Sequence, residues 1–502
     1  MKTLWLMLAC GLGLAVRGAE YYVSRSGNDT HDGSSPQGAW KTVDRVQRHV
    51  AEFGLGPGDR IQFRGGDSFA GNLVVDRVRG GTRDQPVVIG TYGKGRATLL
   101  AGGGTGIRIK ETPWVVIEKL QVLAGKTNDG DGIRFDRVHN DGRRIPGVTI
   151  RDCRVEGFSW HGVMIDAAAT QHGFDGVRIT GTEALRNRHA GIMVYGGNPT
   201  GRTHHAHRDV VVEQCRTGEN PGDPAELNQH SGSGILVDGA ETVRISGCVA
   251  WGNGFECRSE RGGPVGIWVH ACDRAVIEDC ESFGNGSSLR DGGGFDLDGG
   301  CTASVLRRNF SHDNQGPGFL VYTYSGAPYA DRDCRVEGNI SWNDGRKGTG
   351  YGGLQVGSES GCRIEGLWLS GNLILSPPGS VASVRIQGHH VDAVCSNNVV
   401  VAASYGVLCS VSGFDHRLRF LNNRFWRPDG RPVFLVDTQW TVPTLEQWAA
   451  TNPKDLRIVA DGNRFEDPGI RLSLPAPDRT GLRPRWPTLR SAVPPGTAAA
   501  RR

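Results

Sequence analysis

Between residues 114 and 423 the chain alternates hydrophobic and polar positions in short bursts that never fit the spacing of a helix. The bursts WVVIEKL, GVTIRDC, GVRITGT, DVVVEQC, TVRISGC, RAVIEDC, ASVLRRN, DCRVEGN, GLWLSGN, DAVCSNN and RLRFLNN recur with a loose period of about thirty residues. Alternation with a period of two predicts strands with one buried face. Each burst closes on one member of a column: Leu120, Cys153, Thr182, Cys215, Cys248, Cys280, Asn309, Asn339, Asn372, Asn398 and Asn423. A column of small, thiol and amide side chains at one repeat position predicts an inward ladder stacked from coil to coil. Units this small cannot bury their own hydrophobic face, so neighbouring coils must complete the core. The prediction is an all-β, single-domain parallel β-helix solenoid.

A second register follows in each unit: GIRFD (132–136), GVMID (162–166), GIMVY (191–195), GILVD (234–238), GIWVH (266–270), GFDLD (294–298), GFLVY (318–322) and GLQVG (353–357). Side chains alternate across a strand, so the second and fourth residues of each word point inward and the third and fifth point out. The inward positions are uniformly apolar. The outward third column is Arg134, Met164, Met193, Leu236, Trp268, Asp296, Leu320, Gln355, and the fifth is Asp136, Asp166, Tyr195, Asp238, His270, Asp298, Tyr322, Gly357. Stacking predicts that Asp298 lies between His270 and Tyr322, with Asp296 next along its own strand.

Composition narrows the class. A net charge of +4 on 502 residues gives no reason to expect nucleic acid or an anionic membrane as partner, and 75 glycines without a triplet period fit a turn-rich β protein. Residues 1–19, MKTLWLMLACGLGLAVRGA, have the charged start, apolar run and small-residue end of a signal peptide. The expected protein is exported, secreted or periplasmic, and without a transmembrane segment. Of twelve cysteines one lies in that leader. Four sit in the ladder as buried thiols, while Cys257, Cys272 and Cys301 lie off it and leave a disulfide open. The expected organisation is a cap with first coils over 20–110, repeats over 111–430, a C-terminal coil or cap over 431–474, and a disordered Pro/Arg-rich tail over 475–502.

The two registers, with the opening YYVSRSGNDTHDGSSPQGAWKTVDRVQ and PGDRIQFRGGDSF, resemble the secreted right-handed parallel β-helix proteins of the pectin-lyase-like superfamily. The resemblance covers roughly residues 20 to 475. It implies a right-handed helix, an N-terminal helical cap, a monomer, and a polysaccharide substrate on one sheet's exposed face. Specific enzyme motifs are not matched: Asp-Asp, Gly-His-Gly and Asp-Pro-His-Glu are absent. Of the calcium-dependent pectate-lyase word, Gly292–Leu297 keeps only Asp296, and Leu320 stands at the third-column position of the next coil.

Chemistry therefore has to be argued from residues. Two carboxylates on one strand can serve glycoside hydrolysis, one protonating the leaving oxygen while the other attacks carbon or activates water. Asp296 and Asp298 are the expected catalytic pair, assisted by His270 and Asp238. Trp268, Tyr195 and Tyr322 offer faces for sugar rings, and Arg290 and Lys347 are the nearest basic side chains. The inserts 216–233, 249–265 and 281–293, on these same coils, are the longest and are expected to build the binding face. A calcium-dependent lyase, with Asp291, Asp296 and Asp298 as ligands, is the alternative, and a non-catalytic glycan-binding or surface-structural solenoid is the rival of a different class. The tract Thr203–His207 and the turn Asn128–Gly132 are weaker metal candidates, since neither has the remaining positions of a zinc or EF-hand motif.

Overall fold

The computed structural model describes residues 18–169, 171–199, 204–347, 350–436, 440–442, 444–450, 457–473 and 484–491. The leader expected at 1–19 lies almost wholly outside them. Three long parallel sheets wind around one apolar core. The first runs from Glu20–Val23 to Arg457–Asp461, the second from Leu73–Asp76 to Trp440–Val442, and the third from Ser68–Ala70 to Arg464–Phe465. Pairing is parallel along all three, except where Phe434–Val436 meets Trp440–Val442 antiparallel at the end of the second.

The expected words form the first and second sheets. The third was not legible, because its strands, such as Arg216–Gly218, Val249–Trp251 and Glu281–Phe283, are three residues long. Alternation cannot register over so few positions. The segments read as inserts therefore begin with a strand and become loops only from residues 219, 252 and 284 onward.

The corner between the first and third sheets explains the ladder. One residue with left-handed backbone precedes each ladder position, for example Asp152, Gln214, Asp279, Arg308 and Asn397 at φ 51–55°, and it turns the chain so that the next side chain points inward. All ladder members are buried. The asparagines bond in series, Asn339 Nδ2 to Asn372 Oδ1 at 3.1 Å and Asn372 Nδ2 to Asn398 Oδ1 at 3.0 Å, and each also caps a core carbonyl. A buried amide is tolerated because its neighbours satisfy it.

A second ladder, Asn187, Asn220, Asn253, Asn285, Asn314 and Asp344, fills the turn entering the second sheet, with Asn–Asn bonds of 2.8–2.9 Å in its middle. The glycine opening each second-register word is held tightly by this turn, the neighbouring coil and the third sheet. A Cβ on Gly266 would stand 1.9 Å from Ser282 Oγ, and one on Gly318 would stand 2.4 Å from Asp344 Oδ2. Cys272, Cys301 and Cys334 are likewise inward, each thiol donating to core carbonyls. The disulfide left open among Cys257, Cys272 and Cys301 does not form: all three are buried free thiols.

The helix Val43–Phe53 caps the N-terminal end, as the resemblance implied. Thr42 Oγ1 accepts from Arg45 N at its start, and Gly54 at φ 71° ends it. After the last coil the chain lies back along the third sheet, where Ile470 packs against the Phe310, Ile340 and Leu373 cluster and Thr488–Ser491 pairs antiparallel with Ile470–Ser473. Arg485 binds the buried carboxylate of Glu281 through its amide at 2.6 Å and its Nε at 2.8 Å. Of the tail expected over 475–502, residues 484–491 are described, and Glu281 supplies the anion that Arg485 contacts.

Candidate active site

Register along the second sheet aligns the outward columns as the sequence predicts: Trp268 beside Asp296 and His270 beside Asp298, then Asp296 beside Leu320 and Asp298 beside Tyr322. The environment differs from the expected solvated surface. Asp296 is 3% exposed, Trp268 4%, Asp238 5% and His270 8%, whereas Asp298, Asp291, Tyr322 and Tyr195 are half-buried and Arg290 is exposed. Asp296 sits between two buried apolar neighbours in its column, and its Oδ1 has no hydrogen-bond partner. Trp268 is not an open platform either. Its Nε1 donates to Ser233 Oγ at 3.2 Å and its ring packs with Leu236 and Val265, with His230 edge-on at 4.9 Å.

His270 is held at both nitrogens. Nδ1 donates to Asp238 Oδ2 at 2.7 Å, and Nε2 lies 2.9 Å from the Tyr324 hydroxyl, whose ring stacks on the imidazole. Burial would lower its pKa, but the hydrogen bond and charge of Asp238, with Asp298 adding to them, outweigh this and hold it at about 9. His270 is therefore an imidazolium at neutral pH, donating to both partners. Burial pushes Asp298 up to about 7, against the pull of that imidazolium. Burial and the charge of Asp298 push Asp296 well up as well, so one of these two carboxyls carries a proton near neutrality.

Asp291 completes the acidic group. It is at φ 53°, its Oδ2 accepts from Gly263 N at 2.7 Å, its amide donates to the Tyr351 oxygen at 2.7 Å, and Oδ1 lies 3.3 Å from that hydroxyl. Burial raises its pKa too. Tyr324, Tyr351 and Asp331 were missed in the sequence because they lie outside the alternating words. The signal for Tyr324 was its place two residues beyond Tyr322, on the same outward phase. Asp331, fully buried, accepts from Gly300 N and Cys301 N at 2.6 Å each and pins the turn after Asp298.

The calcium set does not fit. Among the described residues no group of three or more His, Cys, Asp or Glu side chains converges as metal ligands, and both Asp291 oxygens already face protein donors. Of the histidine tract, His205 Nε2 meets the Tyr329 hydroxyl at 2.8 Å and His207 stacks on Phe174. Lys347 Nζ donates to Ser287 O and Leu289 O and so ties down the loop that carries Arg290. Farther toward the N-terminus, Arg134 bonds Asp131, Asp136 and Asp166, and Arg108 also bonds Asp136. Those outward aspartates are neutralised.

Residues 131–374 match the family model described as the right handed beta helix region. A lacto-N-biosidase of Bifidobacterium longum subsp. longum is 30% identical over 320 residues, covering 52% of this chain and 19% of that protein. The chain thus spans about a fifth of the curated relative it matches. Among solved structures, a lacto-N-biosidase from Eubacterium ramulus superposes with TM-score 0.41 at 13% identity, covering 89% of this chain and 68% of that one. An alginate lyase from Paenibacillus sp. gives TM-score 0.38 at 17% identity, covering 70% and 97%. Three parallel sheets coil about one core, and the match to the right handed beta helix region runs along its central coils, so the fold of this chain is a parallel β-helix.

Proposed function

We propose that the protein is an exported glycoside hydrolase acting on a polysaccharide through Asp298 and a second carboxyl. The observation that carries this is Asp298 itself, a carboxyl with solvent access set beside an imidazolium whose two nitrogens are both engaged. Hydrolysis of a glycosidic bond needs one carboxyl ionised and one protonated. His270 favours the ionised form of Asp298, which suits it to attack the anomeric carbon or to activate water. The proton donor must reach the leaving oxygen. Asp296 was the expected partner, but its burial withdraws it from substrate. Asp291 keeps solvent access and has a pKa raised by burial, so we assign it the acid role. Asp296 then acts from beneath, its charge state coupled to that of Asp298. The aligned segment of the lacto-N-biosidase supports hydrolysis over elimination, and among the described residues neither Asp296 nor Asp298 forms an ion pair with a lysine or arginine that could serve as an eliminating base.

The test is incubation with a panel of neutral and acidic polysaccharides, reading new reducing ends together with the ultraviolet absorbance of unsaturated products. Reducing ends without absorbance, lost in Asp298→Asn, are expected. Absorbance would indicate a lyase. Binding without any product would leave a non-catalytic glycan-binding solenoid.

A further inference from the structure

On the C-terminal side of Asp298 the floor of the second sheet changes character. The third column continues from Asp296 through Leu320 and Gln355 to Arg385 and Ser410. The fifth continues through Tyr322, Gly357 and Gln387 to Ser412. Past Asp298, among the described residues, neither column contains a carboxylate. Arg385 is half-buried, its Nη1 donates to the Gly350 carbonyl, and among the described residues it forms no ion pair. Tyr322 and Tyr351 lie close enough to act on its charge. Its column neighbour Gln355 is 4% exposed, with Oε1 unpartnered. Glu359, on the turn after the preceding strand, is exposed and accepts from Ser325 N at 3.1 Å.

Arg134, in the same column of the same sheet, is the internal contrast. It faces three carboxylates. Withdrawing a guanidinium from water is costly unless an anion accompanies it, and among the described residues that anion is present at Arg134 but not at Arg385. We propose that Arg385 forms the floor of an anion subsite three coils from Asp296, roughly 14 Å along the sheet, that receives a carboxylate- or sulfate-bearing sugar of the substrate. This rests on the glycan reading above and narrows its substrate class to acidic glycans. A planar guanidinium matches either group through paired N–H donors. The segment that covers Arg385 with Gly350 also carries Tyr351, whose hydroxyl contacts Asp291. An occupied subsite would therefore bear on the proposed acid.

The test is binding of the full chain carrying Asp298→Asn, which keeps the probes intact, to an immobilised array of neutral, uronate-bearing, sialylated and sulfated glycans, with and without Arg385→Gln and Arg385→Lys. Thermal melting checks that each variant is folded. The expected result is retention of acidic glycans, weakened by about tenfold to a hundredfold in Arg385→Gln and partly restored in Arg385→Lys, with carboxylate and sulfate arms showing which group is preferred. Retention of neutral glycans alone, or of acidic glycans equally by Arg385→Gln, would overturn this inference while leaving the glycan reading intact. Failure to retain any glycan would overturn both.

Discussion

Replacing His270 with Gln removes the cation on which the proposed chemistry depends, and the consequence can be worked from its surroundings. A histidine at 6.5 unfolded and about 9 folded binds its proton more tightly in the native state by about 3 kcal/mol. Because the folded pKa is the higher, that stabilisation is complete below about pH 6.5 and is lost as pH rises through about 9. His270→Gln should therefore unfold at lower denaturant than wild type at pH 6, by an amount equivalent to about 3 kcal/mol, and the gap should close by pH 10. That figure already includes the hydrogen bond and charge of Asp238, the two main causes that raise the His270 pKa. The assay is denaturant unfolding of both proteins from pH 6 to 10, with an NMR titration of the His270 ring. A His270 midpoint near 6.5, or parallel stability curves for the two proteins, would refute the imidazolium and with it the reason for keeping Asp298 ionised.

Asp298→Asn and Asp291→Asn should each lower turnover by about two to four orders of magnitude with little change in melting temperature, whereas Asp296→Asn should alter the pH profile more than the maximal rate; kinetics across pH with melting curves checks this. Tyr324→Phe removes the hydroxyl that accepts from His270 Nε2 and should move the acidic limb of the activity profile without abolishing cleavage, which initial rates against pH would show. Asn339→Ala should destabilise by about 2–4 kcal/mol, because it breaks the bonds to Asn372, Asn309 N and Leu306 O inside the core; denaturant unfolding reads it directly. Exhaustive chelation should leave activity unchanged in a reducing-end assay, since the expected calcium ligands do not converge.

The repeat, the inward column from Leu120 to Asn423 and the order of the outward columns were all determined by the sequence alone. A period of two forces side chains to alternate, and identical positions in successive coils must stack. The third sheet escaped because three-residue strands have no period, and the Asn187–Asp344 ladder escaped because its members, although each follows the first ladder by five residues, lie in turns outside the alternating words. Tertiary structure alone decided which outward residues meet water. Asp296 and Asp298 are equivalent by alternation, yet Asp296 lies between Trp268 and Leu320 and is sealed, while Asp298 keeps access beside Tyr322. The partners that define the chemistry, Tyr324 on His270 and Tyr351 on Asp291, reach the sheet from segments 54 and 60 residues away in the chain. Burial and proton affinity depend on what the loops place over the sheet, and no local pattern of hydrophobic and polar residues encodes that.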